Sequence, residues 1–153
     1  MNTPTTLSVL VPAYNEPYLV YASLERLKIL AESPLLERIE VIIVDDGSTD
    51  QTPSVLREFE RSVSAEPNAK MKWVFLRHEV NQGKAAAICT ALQSATAELA
   101  VTHDADLEYH PLDLLKLVQV FLDEQADTVL VPGFLRANTG VFCFSVTRWG
   151  TIF

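Results

Sequence analysis

Apolar residues fall along this chain in short runs separated by longer stretches where they recur every three or four positions. That alternation of period predicts strands and helices in turn. Leu7-Ser8-Val9-Leu10-Val11 is nearly continuous and of strand length, as a strand buried on both faces requires. It ends at Pro12-Ala13-Tyr14-Asn15-Glu16-Pro17, where Pro17 is the expected opening of a helix with Val20, Leu24, Leu27 and Ala31 inward, stopped by Ser33-Pro34. Ile39 to Val44 predicts a second strand, followed by a tight turn at Asp45-Asp46-Gly47-Ser48-Thr49-Asp50. Asp50 or Thr52 then caps a helix that turns Val55, Phe59 and Val63 inward, and Ala65 to Lys70 reads as a loop. Lys72 to Leu76 predicts a third strand, nearer a sheet edge because it carries polar residues. Asn81 is the expected cap of a third helix carrying Ile88, Leu92 and Ala95. Leu99-Ala100-Val101 predicts a fourth strand, Pro111 opens a helix with Leu115, Val118 and Leu122 inward, and Thr128 to Val131 predicts a fifth strand. Such an order specifies an α/β domain with a mostly parallel sheet flanked by helices and right-handed crossovers.

The fourth strand runs into Thr102-His103-Asp104-Ala105-Asp106-Leu107-Glu108-Tyr109-His110-Pro111. Side chains two apart on an extended segment project to one side, so Asp104 and Asp106 converge, and Glu108 joins them if the turn stays extended. Clustered carboxylates repel unless a cation lies between them, and an all-oxygen donor set with room for water or phosphate suits Mg²⁺ or Mn²⁺. The plainer reading is a solvated acidic loop ending in a helix cap. Position decides between the two. The strand-to-helix loops of a parallel sheet emerge at one edge, where ligands bind. Those loops here carry Tyr14-Asn15-Glu16, Asp45-Asp46-Gly47-Ser48, Asn81-Gln82-Gly83-Lys84 and the acidic stretch. Asp45 and Asp46 face opposite ways, so at most one enters a site, where it can accept hydrogen bonds from a base or a ribose. Lys84, beside a helix start, suits a phosphate. His103 and His110 read as packing or capping residues.

Charge and composition narrow the partners. Twelve basic against twenty acidic residues give a formal charge of −8, which argues against a nucleic-acid surface. Cys89 and Cys143 form no metal spacing and no disulfide framework; both are expected as small core residues in a reducing compartment. No apolar run is long enough to span a membrane. Val141 to Phe153 is rich in Val, Phe, Trp and Ile and stops without a turn or charged tail. It is expected to be an interfacial helix or an element packing on further protein, in a chain cut from a longer one.

No G-x-G-x-x-G follows the first strand and no G-x-x-x-x-G-K-[ST] or G-x-S-x-G occurs, which removes dinucleotide oxidoreduction, P-loop hydrolysis and the usual esterase signature. The residues instead resemble the family 2 glycosyltransferases of GT-A fold. The matching pieces are Val11-Pro12-Ala13-Tyr14-Asn15-Glu16, Val44-Asp45-Asp46-Gly47-Ser48-Thr49-Asp50, Asn81-Gln82-Gly83-Lys84 and Asp104-Ala105-Asp106-Leu107-Glu108, in that order over about residues 7 to 131. The run Asp-Ala-Asp-Leu-Glu-Tyr followed by Pro is most similar to the branch that moves a sugar onto a polyprenyl or dolichyl phosphate. The resemblance implies an inverting, metal-dependent transfer from a UDP- or GDP-sugar, working in the cytoplasm or on the cytoplasmic face of a membrane. Pro12, Tyr14 and Glu16 would line the nucleotide pocket, Asp45 or Asp46 would meet base or ribose, and Lys84 would lie near the donor. Asp104, Asp106 and Glu108 would hold Mg²⁺ or Mn²⁺. The polyprenyl branch commonly shows Gly-Ser-Arg after the fifth strand; here Pro132-Gly133-Phe134-Leu135-Arg136 stands there, leaving Arg136 or Arg148 to meet an acceptor phosphate. A nucleotide-sugar-binding module without turnover, a transferase acting on a saccharide hydroxyl and a sugar-phosphate nucleotidyltransferase are the rival readings.

Overall fold

The computed structural model describes residues 4–124, 128–132 and 143–148. The strands are β1 (Thr5–Ala13), β2 (Leu36–Asp45), β3 (Met71–Arg77), β4 (Leu99–Thr102), β5 (Thr128–Pro132) and β6 (Cys143–Arg148). The helices are α1 (Val20–Leu27, continued by a 3-10 turn over Lys28–Glu32), α2 (Thr52–Ala65), α3 (Lys84–Ser94) and α4 (Pro111–Glu124). The sheet order is β3-β2-β1-β4-β6-β5, with β3, β2, β1 and β4 parallel and β6 antiparallel to both its neighbours. β3 is the edge strand its polar positions predict. The fifth strand does not extend the parallel series next to β4, because β6, within the apolar Val141 to Phe153 segment, takes that place.

The continuous apolar runs follow from burial on both faces. Leu7, Val9 and Val11 of β1 with Ile39, Val41 and Ile43 of β2 face α1 and α2, where Leu24, Leu27 and Phe59 complete the larger core. Phe59 sits edge-on to Tyr21 and Trp73. Leu10, Ile42, Val44 and Ala100 face the other way, onto Ala87 and Ala91 of α3. The chain steps outward from β1 to β2 to β3, then returns across the sheet to β4. A right-handed connection must make that return on the opposite face, which is where α3 lies. The order therefore reverses between β1 and β4, opening a crevice at their carboxyl ends.

Two helix starts and one buried helix face differ from the sequence pattern. α1 begins at Val20, because residues 17–19 form turns. α3 is preceded by Gly83 at φ +94, not capped by Asn81. α4 buries Leu114, Val118 and Phe121, while Leu115 and Leu122 are half-buried at the margin of the same core, a rotation of the stripe that periodicity alone does not resolve. Cys89 is exposed on α3, since Ala87 and Ala91 are the residues on the sheet side.

Candidate active site at the sheet's switch point

β2, β3 and β4 are each prolonged at the carboxyl end by one backbone bond that sets the following loop. Asp46 N–H donates to Ala13 O, His78 N–H to Asp45 O and His103 N–H to Leu10 O. The loop after β1 is stitched to the loop after β2. Asn15, at φ +51, donates its N–H to Ser48 Oγ at 3.0 Å and accepts Thr49 N–H on Oδ1 at 3.0 Å, while Glu16 N–H donates to Thr52 Oγ1 at 2.8 Å. Asn tolerates the left-handed region better than other non-glycine residues, so this tie explains the residue type. Asn15 and Glu16 thus tie the loop after β1 to the loop after β2 and to the start of α2, and the Glu16 carbonyl accepts Val20 N–H at the start of α1.

Between these loops lies a cavity of about 260 Å³ lined by Pro12, Ala13, Tyr14, Glu16, Asp46, Asn81, Lys84, Asp104, Ala105 and Asp106. The structure thereby brings together seven of the residues singled out by sequence: Pro12, Tyr14, Glu16, Asp46, Lys84, Asp104 and Asp106. Asp45 is turned elsewhere. Its Oδ1 accepts Ser48 N–H at 3.0 Å, its Oδ2 faces Arg77 Nε at 3.4 Å, and it lines a separate depression with Phe75 and Arg77. Glu108 does not line the cavity, because the chain turns at Leu107 (φ +64), where Asp106 Oδ1 accepts Glu108 N–H at 3.1 Å. The expected three-carboxylate cluster is therefore reduced to the pair Asp104 and Asp106, and among the described residues no three His, Cys, Asp or Glu gather as a metal site. Arg148 pairs in register with Leu99, at the amino end of β4, so its place in the sheet is at the end remote from Asp104. Arg136 lies outside the described residues.

Charge in the cavity is unbalanced. Lys84 Nζ lies 2.7 Å from Asp104. Burial raises the pKa of Glu16 above the usual carboxylate value, and the charges of Asp106 and Asp50 push it further. Burial likewise raises the Tyr109 hydroxyl, with Glu108, Asp106 and Asp104 adding to the shift. Carboxylate oxygens facing one cavity, with their negative charge felt by a neighbouring acid, are the donor set that a hard divalent cation takes; Asp104 and Asp106 fit one.

His78, to which the sequence pattern assigns no role, does not line the cavity but bonds Asp46, which does. Its Nδ1 is 2.6 Å from Asp46 Oδ1 and its Nε2 is 2.8 Å from Thr90 Oγ1 on α3. Asp46 also accepts Gln82 N–H at 2.9 Å and Gly83 N–H at 2.8 Å. Burial pushes the Asp46 carboxyl up, but the hydrogen bonds from Gln82, His78 and Gly83 outweigh it and hold it below the usual range. The available signal was register: Asp45 pairs with Arg77, so the next residues, Asp46 and His78, leave the sheet side by side. His103 is buried with Nε2 3.3 Å from Ser23 Oγ, and burial lowers its pKa; it packs α1 against β4. His110 accepts Leu112 N–H at the start of α4.

The chain is 34% identical over 132 residues to the undecaprenyl-phosphate 4-deoxy-4-formamido-L-arabinose transferase of Aeromonas hydrophila, covering 86% of this chain and 37% of that protein. It is 30% identical over 130 residues to the UDP-N-acetylglucosamine–dolichyl-phosphate N-acetylglucosaminyltransferase of Methanococcus voltae, covering 80% of this chain and 49% of the relative. Among solved structures, the mannosyltransferase PcManGT from Pyrobaculum calidifontis in complex with GDP-Man and Mn²⁺ superposes with a TM-score of 0.64 at 31% identity, over 82% of this chain and 34% of that one. The chain thus spans less than half the length of these proteins, and its sheet is that of the GT-A glycosyltransferases. The sequence model described as glycosyl transferase family 2 matches residues 8–149, and the chain belongs to that family.

Proposed function

We propose that this chain is the nucleotide-sugar-binding part of one GT-A domain in an inverting, metal-dependent glycosyltransferase whose acceptor is a polyprenyl or dolichyl phosphate. The observation that carries the reading is the meeting of Asp104 and Asp106 with Tyr14, Glu16, Asp46 and Lys84 around one cavity, at the place where strand order reverses. Pro12 and Tyr14 would lie along the nucleotide of a UDP- or GDP-sugar, and Lys84 would leave Asp104 for the donor diphosphate. Asp104 and Asp106 are the residues that would hold Mg²⁺ or Mn²⁺, which when bound supplies positive charge to a departing diphosphate. An oxygen of the acceptor phosphate forms the new bond to the anomeric carbon. The bond from that carbon to the donor diphosphate breaks, its electron pair leaving on the nucleoside diphosphate, and attack opposite the leaving group inverts the centre. A phosphate acceptor is already anionic, so no strong base is required of this chain.

The lipid-phosphate acceptors in the names of the Aeromonas and Methanococcus relatives support that acceptor class and work at a membrane surface, which we place at the cytoplasmic face. Among the described residues no helix is long and apolar enough to cross a membrane. The acceptor side is assigned to residues beyond those described, with Arg136 as its candidate cation.

Titrating UDP and GDP into the protein with and without Mn²⁺ tests the reading. One nucleotide is expected to bind at least about tenfold tighter with Mn²⁺. Asp106→Ala is expected to remove that gain and to cost on the order of 100-fold in acceptor-dependent release of nucleoside diphosphate. Unchanged affinity and unchanged Mn²⁺ dependence in Asp106→Ala would overturn the metal role. Tight donor binding with no release on adding lipid phosphate would make the chain a holding module.

A further inference from the structure

Among the buried, hydrogen-bonded side chains at the rim that the transfer as written does not use, His78 is the one bonded to a carboxylate of the cavity. His78 directly follows β3, is 9% exposed, and joins Asp46, the residue after β2, to Thr90 on α3. We infer that His78 is the positioning residue of the nucleotide cavity: it holds the Asp46 carboxylate against the backbone of residues 82–83 and so sets where Asn81 and Lys84 meet a donor. This rests on the functional reading above.

The geometry carries the assignment. Asp46 Oδ1 is shared by His78 Nδ1 and Gln82 N–H, and Oδ2 takes Gly83 N–H, so three donors from two sides fix one carboxylate. Those two amides belong to the turn that starts α3, and an unbonded amide there would leave residues 81–84 free to swing. Gly47, beside Asp46, presses on the same turn: a Cβ there would meet Asn81 N and Val80 C at 2.5 Å. The loop after β3 is therefore clamped by the loop after β2, and two cavity residues, Asn81 of that loop and Lys84 at the start of α3, flank the clamp. An acceptor-only carboxylate requires the proton on His78 Nδ1, while the Thr90 hydroxyl can answer Nε2 as donor or acceptor. His78 thus reaches the cavity only through Asp46 and the two amides.

The test compares wild type, His78→Ala and His78→Asn with Ser8→Ala as a control, since Ser8 hydrogen-bonds Glu40 far from the cavity. Two quantities are measured: affinity for UDP and GDP with Mn²⁺, and amide exchange at Gln82 and Gly83. His78→Ala is expected to weaken nucleotide binding about tenfold and to speed exchange at those two amides about tenfold. His78→Asn, whose Nδ2–H stands where Nδ1–H did, is expected to return both to within about threefold of wild type. Ser8→Ala is expected to lower the melting temperature and change neither. Should His78→Ala not fold, Thr90→Val, which removes only the Nε2 partner, is expected to show the same paired loss at about threefold. Equal binding loss in His78→Ala and His78→Asn with wild-type exchange at Gln82 and Gly83, or losses that merely follow melting temperature across all variants, would overturn the inference. If wild type binds neither nucleotide, the functional reading fails, and the two amides still decide the role of His78.

Discussion

Two buried carboxylates borne by β2 and its end, Asp46 and Glu40, are satisfied in nearly the same way and serve different ends. Glu40 is 1% exposed and accepts from Ser8 Oγ, Thr96 N–H and Thr96 Oγ1, with Arg38 nearby. Burial pushes its carboxyl up, and the bonds from Thr96 and Ser8 bring it below the ordinary value, as Gln82, His78 and Gly83 do for Asp46. Glu40 pins the connection into β4 under solid packing. Asp46 pins a loop that borders a cavity holding Glu16, Asp104 and Asp106. A buried, fully bonded acid is therefore no sign of function by itself. What marks the rim is that its neighbouring acids lie in each other's field, as the raised Glu16 shows.

The sharpest way to break the comparison is Gly47→Ala. The new Cβ would meet backbone atoms at 2.5 Å, and Gly47 has φ +70, so neither neighbour nor backbone relaxes cheaply. A loss of about 3 kcal/mol in denaturant unfolding is expected, together with loss of nucleotide binding. Next come Asp46→Asn and Glu40→Gln, each expected to cost about 2 kcal/mol, since each spoils charge-assisted bonds to a buried acceptor. Only Asp46→Asn should weaken nucleotide binding; an equal effect from Glu40→Gln would erase the distinction between the two ends. Both acids have lowered pKa values in the fold, so the stability they add is present above their unfolded values of 3.8 and 4.5 and is lost as pH falls through the lower folded values. Either variant should flatten the acid limb of a stability–pH profile. The smallest effect is expected from Glu16→Gln. Glu16 is raised, so folding disfavours its charged form and stability falls as pH climbs past its unfolded value of 4.5. Removing that charge should raise the neutral-pH melting temperature by about 1 °C, discounted for its partial exposure, and Mn²⁺ with nucleotide should reverse the sign.

The order of strands and helices from β1 to β5, the buried runs of β1 and β2 and the edge position of β3 were legible in the sequence, because apolar period and turn residues are local properties; β6, in the segment expected to be an interfacial helix or to pack on further protein, was not. The gathering of Tyr14, Glu16, Lys84, Asp104 and Asp106 at one rim was legible too, since parallel strands put their following loops on one side. Three things needed the tertiary structure. Which of Asp45 and Asp46 turns to the cavity depends on Arg77 and on the amides of residues 82–83, which lie on other elements. The removal of Glu108 from the acidic pair depends on the positive φ of Leu107, a single dihedral that no pattern encodes. The partnership of His78 with Asp46 joins residues 32 apart in sequence, and only the pairing of β2 with β3 brings them to 2.6 Å.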